Sequence, residues 1–282
     1  MRKPFTIACL QTRPQPDFQS ALDEALGLAE QAVDAGATVL ALPEYCGGLL
    51  TQGAMFAPPV AHQKDHPVLL GLQDFAATNN VWIIVGSVAV PGPDDTYINR
   101  SFVIDDKGAV CNHYDKIHLF DIQLSKDEVY RESARVSPGN QAVITEAPFA
   151  RLGHSICYDL RFASLYRDLA QAGAELLLVP AAFTKTTGQA HWHVLNRARA
   201  IENGAFVIAP CAIGPVEGGG ESYGHSLIID PWGEVLADAG DQPGIITATI
   251  DIDLVAETRK KIPSLEHDRQ FKFHGYVSRD VA

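Results

Sequence analysis

Short apolar runs bounded by turn residues recur along the whole chain. Runs of this kind are typical of buried β-strands. The runs that predict strands are residues 5–10, 38–42, 81–90, 101–104, 152–156, 176–179, 205–209 and 226–229.

Stretches with a 3.6-residue apolar period lie between several of these runs and predict amphipathic helices. The clearest stretch is 20–35, where Leu22, Ala25 and Ala29 share one face. Residues 162–172 and 190–203 show the same period. Each of these two is followed by a glycine, at 173 and 204, which suits a helix C-cap.

Turn residues at 105–108 and 230–233 each separate two apolar segments and predict β-hairpins. Because helical and hairpin connections coexist, we expect an α/β fold in which helices cover one face of each mixed sheet. No long linker divides the chain, so a single domain over 1–282 is the simplest organisation. We expect the polar tail from about Lys260 to wrap the surface or to cross to a second subunit.

Composition narrows the classes of function. Lys and Arg number 22 and Asp and Glu 34, and the net charge of −12 argues against a nucleic-acid partner. The most apolar stretch, 81–90, is well short of the roughly 20 residues that cross a bilayer, and no signal peptide is indicated. Five widely spaced cysteines without a CxxC predict neither a disulfide framework nor a zinc site. We therefore expect a cytoplasmic protein.

Cys157 lies where the strand pattern of 152–156 meets the helix pattern that begins at Phe162. A sharp turn at this junction would expose the sulfur. The N–H groups of the following helix start would lower the pKa of the thiol and could bind a developing oxyanion. A buried structural thiol is the alternative interpretation, and we expect the other four cysteines to be buried in this way.

Glu44 and Lys116 each follow a predicted strand. A carboxylate at position 44 would lie at the carboxyl rim of a sheet, where it could transfer protons. An ammonium at position 116 would favour a nearby thiolate and stabilise an oxyanion. Taken singly, both residues also fit ordinary surface positions.

Histidine is the usual base for a thiol nucleophile. His154 is a poor candidate, because a residue three positions before Cys157 on a regular strand points to the opposite face. The sequence does not place any other histidine beside the sulfur. The remaining candidates are His113, His118, His191, His193 and His225.

Together, Leu-Pro-Glu44, Tyr-Asp-Lys116-Ile-His-Leu-Phe-Asp and Cys157-Tyr-Asp-Leu-Arg-Phe resemble the motifs of the nitrilase superfamily of carbon–nitrogen hydrolases. The resemblance covers nearly the whole chain. It extends to residues 131–133, 137–139, 187–192, 197–203, 223–226 and 230–233. These later segments are most similar to the branch of ω-amidases and deaminated-glutathione amidases.

This resemblance implies a four-layer α-β-β-α sandwich that dimerises into an eight-layer assembly. It also implies that Glu44 is the general base, Lys116 the oxyanion stabiliser and Cys157 the nucleophile, with Glu132 orienting the lysine. The implied reaction hydrolyses a small carboxylate-bearing amide to an acid and ammonia through a thioester. Neither a metal nor an organic cofactor is implied.

The net charge of −12 would repel an anionic substrate at long range, so a local cation must recognise it. Arg161 or Lys185 is our candidate, and the backbone N–H of Tyr158 is expected to share the oxyanion with Lys116. Arg161 could equally pair with Asp159 or Glu202, and Lys185 could lie in a solvated loop. The chain departs from the family pattern at Ala163, where many relatives carry proline, and in the glycine-rich stretch 217–220, which we expect to be flexible.

Three alternatives remain at this stage. A metal-dependent hydrolase could use His191, His193 and His225, although the first two would lie on different sides of the predicted helix 190–203. A catalytically silent binding protein could keep the same fold, but all four catalytic positions are filled. A nitrilase or an N-carbamoyl hydrolase would use the same triad.

Overall fold

Two six-stranded mixed sheets form the centre of the molecule in the computed structural model, which describes residues 2–126, 128–272 and 274–275. In chain order the strands are β1 (Phe5–Gln11), β2 (Val39–Ala41), β3 (Thr51–Gln52), β4 (Met55–Phe56), β5 (Trp82–Pro91), β6 (Tyr97–Ile104), β7 (Val110–Asp115), β8 (Asp121–Gln123), β9 (Val129–Arg131), β10 (Ile144–Glu146), β11 (Arg151–Gly153), β12 (Leu176–Leu178), β13 (Phe206–Ala209), β14 (Ile213–Pro215), β15 (Glu221–Tyr223), β16 (Leu227–Ile229), β17 (Val235–Asp238) and β18 (Gly244–Ile250). The first sheet has the order β18-β1-β2-β5-β6-β7 and the second β10-β11-β12-β13-β16-β17. The pairs β3–β4, β8–β9 and β14–β15 form separate two-stranded ribbons.

Side chains on a strand alternate between the two faces of its sheet, so each sheet has an inner and an outer face. Helices cover the outer face of each sheet. The α-helices are α1 (Phe18–Asp34), α2 (Pro67–Asn79), α3 (Ala163–Gln171), α4 (Lys185–Asn203) and α5 (Asp253–Lys261). On β2, Leu40 packs with α1 and α2, whereas Val39 and Ala41 pack between the sheets. On β12, Leu177 faces α3 and α4, whereas Leu176 and Leu178 face the first sheet. This layering confirms the α-β-β-α sandwich.

The predicted elements agree with the structure with shifts at their ends. Every predicted run contains a strand, and both hairpin turns form, with Gly108 and Gly233 at positive φ. The largest strand error is 152–156, because β11 ends at Gly153 and Ser155 instead bonds the Leu178 carbonyl through its hydroxyl at 2.6 Å. The helix predicted at 190–203 begins earlier, at Lys185. Helices α2 and α5 were not predicted.

All five cysteines are free thiols. Four are buried, but Cys111 is exposed, so the expectation that it is buried is wrong. Cys111 lies on β7, which is an edge strand of the first sheet. None of the helices in the described ranges is long and apolar enough to cross a membrane.

The described part of the C-terminal tail lies along α3. Arg167 pairs with Asp268, and Gln171 donates to the Leu265 carbonyl at 3.0 Å. Residues 273 and 276–282 of the predicted tail lie outside the described residues. Contact between the tail and a second subunit stays a prediction.

Candidate active site

Glu44 is carried by a short loop that follows β2 and lies directly on β5. The Leu42 and Pro43 carbonyls pass so close to Gly86 that a Cβ there would be 2.0 Å from the Leu42 oxygen. Ser87 then fixes the loop, since its hydroxyl accepts the Tyr45 N–H at 2.9 Å. Only glycine permits this approach, so β5 determines where the Glu44 carboxylate lies.

Lys116 follows β7 immediately and is 1% exposed. Its backbone N–H donates to the Asn99 carbonyl of β6 at 3.0 Å, and its carbonyl accepts the Gly139 N–H at 2.8 Å. A Cβ at Gly139 would lie 2.2 Å from the Asp115 oxygen. The 137–139 segment therefore packs against the backbone that presents the lysine.

Cys157 stands at the first position of a 3₁₀ turn (Cys157–Arg161) with a positive φ of 48°. This strained conformation is rare for a residue with a side chain and is concentrated at functional sites. The Cys157 N–H donates to the Pro180 carbonyl at 2.9 Å, and the Asp159 carboxylate accepts the Ile156 N–H at 2.8 Å. The predicted sharp junction therefore exists as a hydrogen-bonded turn, but the expectation that it exposes the sulfur is wrong, because Cys157 is only 7% exposed.

Asp159 also joins this turn to the segment that carries the lysine. Its carboxylate accepts the Tyr114 hydroxyl at 2.7 Å and the His118 N–H at 3.0 Å, and it contacts His118 Nδ1 at 2.7 Å. A buried carboxylate with several donors is well satisfied. Asp159 thus fixes Cys157 relative to Lys116.

The structure brings the predicted catalytic side chains together in one buried network. The Lys116 Nζ lies 2.9 Å from Glu44 Oε1 and 2.9 Å from Glu132 Oε2. The second Glu44 oxygen accepts the Ala182 N–H at 2.9 Å, and Asn99 donates to Glu44 Oε1 at 2.9 Å. Glu44, Lys116 and Cys157 line the same cavity.

Charge inside this network decides the resting protonation states. Burial opposes the ammonium of Lys116, yet Glu132 and Glu44 together raise its pKa well above the ordinary value, so the lysine is charged. Burial, and then the negative charge of Glu44, raise the pKa of the Cys157 thiol well above its usual value, although Lys116 acts in the opposite direction. The expectation of a lowered thiol pKa is therefore wrong, because burial and the charge of Glu44 outweigh the effect of Lys116.

Glu132 differs from Glu44 in its contacts. It accepts the Phe120 N–H at 2.6 Å in addition to the lysine. Burial raises the pKa of Glu132, while Lys116 lowers it and Glu44 raises it further. Both Glu132 oxygens accept from Lys116, at 3.0 and 2.9 Å, and Tyr45 and Asn99 also donate to Oε1. Glu132 does not line the catalytic cavity, so it is placed to orient the ammonium.

The catalytic cavity is enclosed and narrow, with about 10 Å³ of free volume, room for one water. Four of its ten lining residues have aromatic side chains. These side chains are Phe56, Phe120, Tyr158 and Phe183. A water-poor site of this kind strengthens every electrostatic contact inside it.

The three predicted substrate-binding residues occupy different places. Tyr158 lines the cavity. The Arg161 guanidinium lies 5.7 Å from the Tyr158 ring centre and 5.4 Å from that of Phe183, so it stands beside the cavity wall. Lys185 is the first residue of α4, lies outside the catalytic cavity and pairs with Glu221 at 2.8 Å.

The alternative pairings foreseen for Arg161 do not occur among the described contacts. Asp159 is taken by Tyr114 and His118, and Glu202 pairs with Arg199 at 2.7 Å. The polar contact of Arg161 that the structure shows is with His191 Nδ1 at 3.4 Å.

None of the described histidines lines the catalytic cavity. His154 is buried against Thr145, and burial lowers its pKa to about 4. His191 and His193 point apart, as expected, and His193 instead meets His225 around Asp238, each at 2.9 Å. These two histidines and Asp238 could hold a metal ion, but none of the three lines the catalytic cavity.

Sequence reasoning missed Gly86, Asn99 and Asp159. Asp159 lay inside a recognised motif, and a carboxylate two residues after a turn-forming cysteine was an available signal. Gly86 and Asn99 stand inside ordinary strand patterns. Their contacts are made across the sheet, so local sequence could not have revealed them.

Comparisons with known proteins agree with this arrangement. A family model described as carbon-nitrogen hydrolase matches residues 6–260. The chain is 40% identical over 271 residues to a Synechocystis protein named deaminated glutathione amidase, covering 94% of this chain and 98% of that protein. It is 33% identical over 265 residues to the Mus musculus protein named omega-amidase NIT2, covering 94% and 95%. The solved structure of the C. elegans NitFhit protein matches with a TM-score of 0.87 at 31% identity, covering 95% of this chain and 66% of that chain.

Proposed function

Because the chain belongs to the carbon–nitrogen hydrolase family, we propose that it is a cysteine-dependent amidase for a small amide that carries a carboxylate. Its reaction class is hydrolysis of non-peptide carbon–nitrogen bonds. One observation supports the assignment of residues: Glu44, Lys116 and Cys157 line one enclosed cavity. Glu132 forms an ion pair with the lysine and does not line that cavity.

Attack begins from a neutral thiol. Glu44 takes the proton of Cys157 as the sulfur adds to the amide carbonyl, and Lys116 with the backbone N–H of Tyr158 stabilises the oxyanion. Glu44 then gives this proton to the departing nitrogen, the carbon–nitrogen bond breaks, and a thioester remains. Water attacks the thioester with Glu44 again as the base, which releases the acid and restores the thiol.

Arg161 is the better candidate for the substrate carboxylate. It stands over two rings that line the cavity, whereas Lys185 is paired with Glu221 outside it. A guanidinium stacked on aromatic faces is oriented while its N–H groups stay available for a carboxylate. We therefore assign recognition of the acyl-side carboxylate to Arg161.

We also propose that the protein is a cytoplasmic homodimer. The five free thiols fit a reducing compartment. Exposed apolar side chains of α4, Val194 at 68% and Ile201 at 53%, lie on the outside of the sandwich together with Trp232 at 57%. A second copy packed on this face would produce an eight-layer pair.

A product-release screen tests the function. Purified protein would be incubated with α-ketoglutaramate, α-ketosuccinamate, deaminated glutathione, glutamine, an N-carbamoyl amino acid and a simple nitrile. We expect hydrolysis of the carboxylate-bearing 2-oxo amides, and none by the Cys157→Ala variant. Preference for the nitrile or the carbamoyl compound would replace the amidase assignment, and turnover by Cys157→Ala would remove the nucleophile assignment.

A further inference from the structure

Two imidazoles and one carboxylate meet at the edge of the second sheet. His193 belongs to α4, His225 to the connection between β15 and β16, and Asp238 is the last residue of the edge strand β17. Their ligating atoms all lie within 4.8 Å of one another, although the residues come from three separate segments. None of the three lines the cavity that contains Cys157. The cluster is therefore a feature of the fold that the proposed amidase reaction does not use.

Asp238 lies between the two imidazoles. Its Oδ2 lies 2.9 Å from His193 Nε2, and its Oδ1 lies 2.9 Å from His225 Nδ1 and accepts the Gly240 N–H at 2.9 Å. Burial opposes the charge of this carboxylate, but His193, the Gly240 N–H and His225 together lower its pKa, so it is ionised at neutral pH. The cluster thus offers one anionic oxygen and two imidazole nitrogens.

His225 is held by contacts that do not involve its ligating nitrogen. Its N–H donates to the Gly240 carbonyl at 2.8 Å, and its own carbonyl accepts the indole N–H of Trp192 at 2.7 Å. The Tyr223 ring stacks on the imidazole, with centres 4.7 Å apart and planes inclined by 25°. The ring is therefore oriented before any ligand binds, as a preorganised metal site requires.

The ribbon that leads to His225 is also anchored, at the glycine-rich stretch 217–220 between β14 and β15. The Thr51 N–H donates to the Glu217 carbonyl at 2.9 Å, and the Thr51 hydroxyl donates to the Gly219 carbonyl at 2.8 Å. Gly218 has a φ of +92°, and a Cβ there would lie 1.9 Å from the Thr51 oxygen. Hydrogen bonds therefore hold the stretch that was expected to be flexible, and only glycine permits the close approach.

The spacing and the chemistry of the three ligands select a class of ion. Tetrahedral zinc, with bonds of about 2.0–2.1 Å, places its ligand atoms about 3.3 Å apart, so small side-chain shifts would suffice. Imidazole favours zinc and its neighbours in the transition series, whereas Mg²⁺ and Ca²⁺ take oxygen ligands. The net charge of −12 attracts cations in general. Three protein ligands leave a fourth position for water.

We propose that His193, His225 and Asp238 form a Zn²⁺ site that clamps α4 to the second sheet. The ion would replace the two histidine–aspartate hydrogen bonds, and each neutral imidazole would carry its proton on the nitrogen that does not bind zinc. His193 projects about 100° around the helix axis from its neighbour Val194, so the site lies beside the face proposed for the homodimer. This inference is independent of the amidase function.

Calorimetry with ZnCl₂ tests the site. The protein would be free of affinity tags and would carry Cys157→Ala and Cys111→Ser, because the catalytic and the exposed thiol are competing ligands. We expect one Zn²⁺ per chain, and MgCl₂ should not compete. Loss of an outer-shell partner already costs about 10–100-fold in metal affinity, so His193→Gln and Asp238→Asn should each raise the Kd at least about a hundredfold.

The matched control is His113→Gln, an exposed histidine on β7, which should keep the Kd of the parent protein. Co²⁺ in place of Zn²⁺ should give the visible absorption of a tetrahedral ion, and Asp238→Asn should abolish it. If His193→Gln fails to fold, His225→Asn replaces it, because asparagine tolerates the positive φ of 53° at this position.

A thermal measurement shows whether the ion clamps the fold. Zn²⁺ at a hundred times its Kd should raise the Tm of the parent protein by about 5 °C, and a chelator should reverse the rise. The same rise with Mg²⁺ would indicate a general charge effect and would overturn the clamp. Absence of Zn²⁺ binding, or an unchanged Kd in Asp238→Asn and in the histidine variants, would overturn the site and leave an adventitious ion only.

Discussion

The protonation state of Cys157 defines the chemistry of the site at the scale of single residues. A thiol whose pKa is raised by burial and by Glu44 holds its proton at neutral pH, so the site has no resting thiolate. Cysteine enzymes that pair the thiol with histidine hold a preformed ion pair instead. Here the proton must move during attack. We propose Glu44 as the base that takes it, because its carboxylate lines the same enclosed cavity as the sulfur.

Replacing Glu44 by glutamine tests this argument, because the side chain keeps its shape and loses its basicity. We expect Glu44→Gln to slow acylation of Cys157 by about 10²–10⁴, the usual contribution of general acid–base catalysis. Single-turnover kinetics on a 2-oxo amide measure this step. Glu146→Gln, at an exposed carboxylate, is the control. A Glu44→Gln enzyme within tenfold of the wild type would exclude Glu44 as the base.

Lys116 is also a structural cation, because it separates two buried carboxylates. Lys116→Met keeps the volume and leaves Glu44 and Glu132 without a counter-charge, which should cost about 3–5 kcal/mol of unfolding free energy at pH 7.5. Burial and Glu44 already raise the pKa of Glu132 against the effect of Lys116, so loss of the lysine would raise it further above the unfolded value. This penalty is therefore small near pH 4.5 and grows as the pH rises.

Urea denaturation at pH 5 and pH 7.5 measures the penalty for Lys116→Met. The loss relative to the wild type should be clearly larger at pH 7.5. Lys107→Met, in the exposed turn between β6 and β7, should show no difference at either pH. An equal loss for Lys116→Met at both pH values would show that packing, and not charge, is lost.

At the scale of elements, the site depends on loops that rest on neighbouring strands. The loop that carries Glu44 crosses β5 at Gly86, and the segment that carries Lys116 is held by Gly139 and by Asp159 of the cysteine turn. Each catalytic group is therefore oriented by an element other than its own. This arrangement gives a preorganised site, because no loop can shift without breaking backbone contacts.

Gly86→Ala tests how β5 positions Glu44. The added methyl would overlap the Leu42 and Pro43 carbonyl oxygens, which are backbone atoms that cannot rotate away. We expect a loss of about 2–4 kcal/mol in unfolding free energy and at least a hundredfold loss of kcat/KM. Gly27→Ala in α1 is a matched control with nothing within 4 Å. It should stabilise the protein by roughly 0.5–1 kcal/mol with full activity, because alanine favours the helix.

The sequence predicted the elements better than their ends, and the site residues better than their contacts. Periodicity located α1 and β5, because these elements bury one face or both. It missed the start of α4, since this end of the helix is polar and Thr187 there lines the catalytic cavity. The motifs located Glu44 and Cys157, but the raised thiol pKa comes from burial by distant segments. A local pattern contains no information about such burial.

At the scale of the whole molecule, the exposed side of α4 is the surface that we propose for the homodimer. Val194 and Ile201 stand two turns apart on the exposed side of α4, and Ile201 lies against Gly233 of the turn that presents Trp232. Ile201→Asp should convert the dimer to a monomer in light scattering coupled to size exclusion. Leu70→Asp, an exposed apolar residue of α2, should leave the mass unchanged. A wild-type mass of one chain, or an unchanged mass for Ile201→Asp, would exclude this interface.

The stability of the whole fold should fall in acid, because two buried histidines, in different parts of the fold, both have pKa values lowered by burial. Burial lowers the pKa of His66 and of His154 to about 4. In the unfolded chain a histidine titrates near 6.5, so the unfolded state binds more protons as the pH falls. Their stabilising contribution is therefore complete above about pH 6.5 and is lost progressively toward pH 4.

When the pH is lowered from 7.5 to 5, protonation of each histidine in the unfolded chain should reduce the free energy of unfolding by about 1–2 kcal/mol. His154→Gln keeps a polar group near Thr145 and removes one titration, so its unfolding free energy should fall less over this interval than that of the wild type. His62→Gln, at an exposed position, should keep the wild-type dependence. Parallel curves for His154→Gln and the wild type would mean that His154 does not titrate in this range. The acid sensitivity of the fold would then have to come from its paired carboxylates, such as Asp238, whose pKa is lowered by His193 and His225 against the effect of burial.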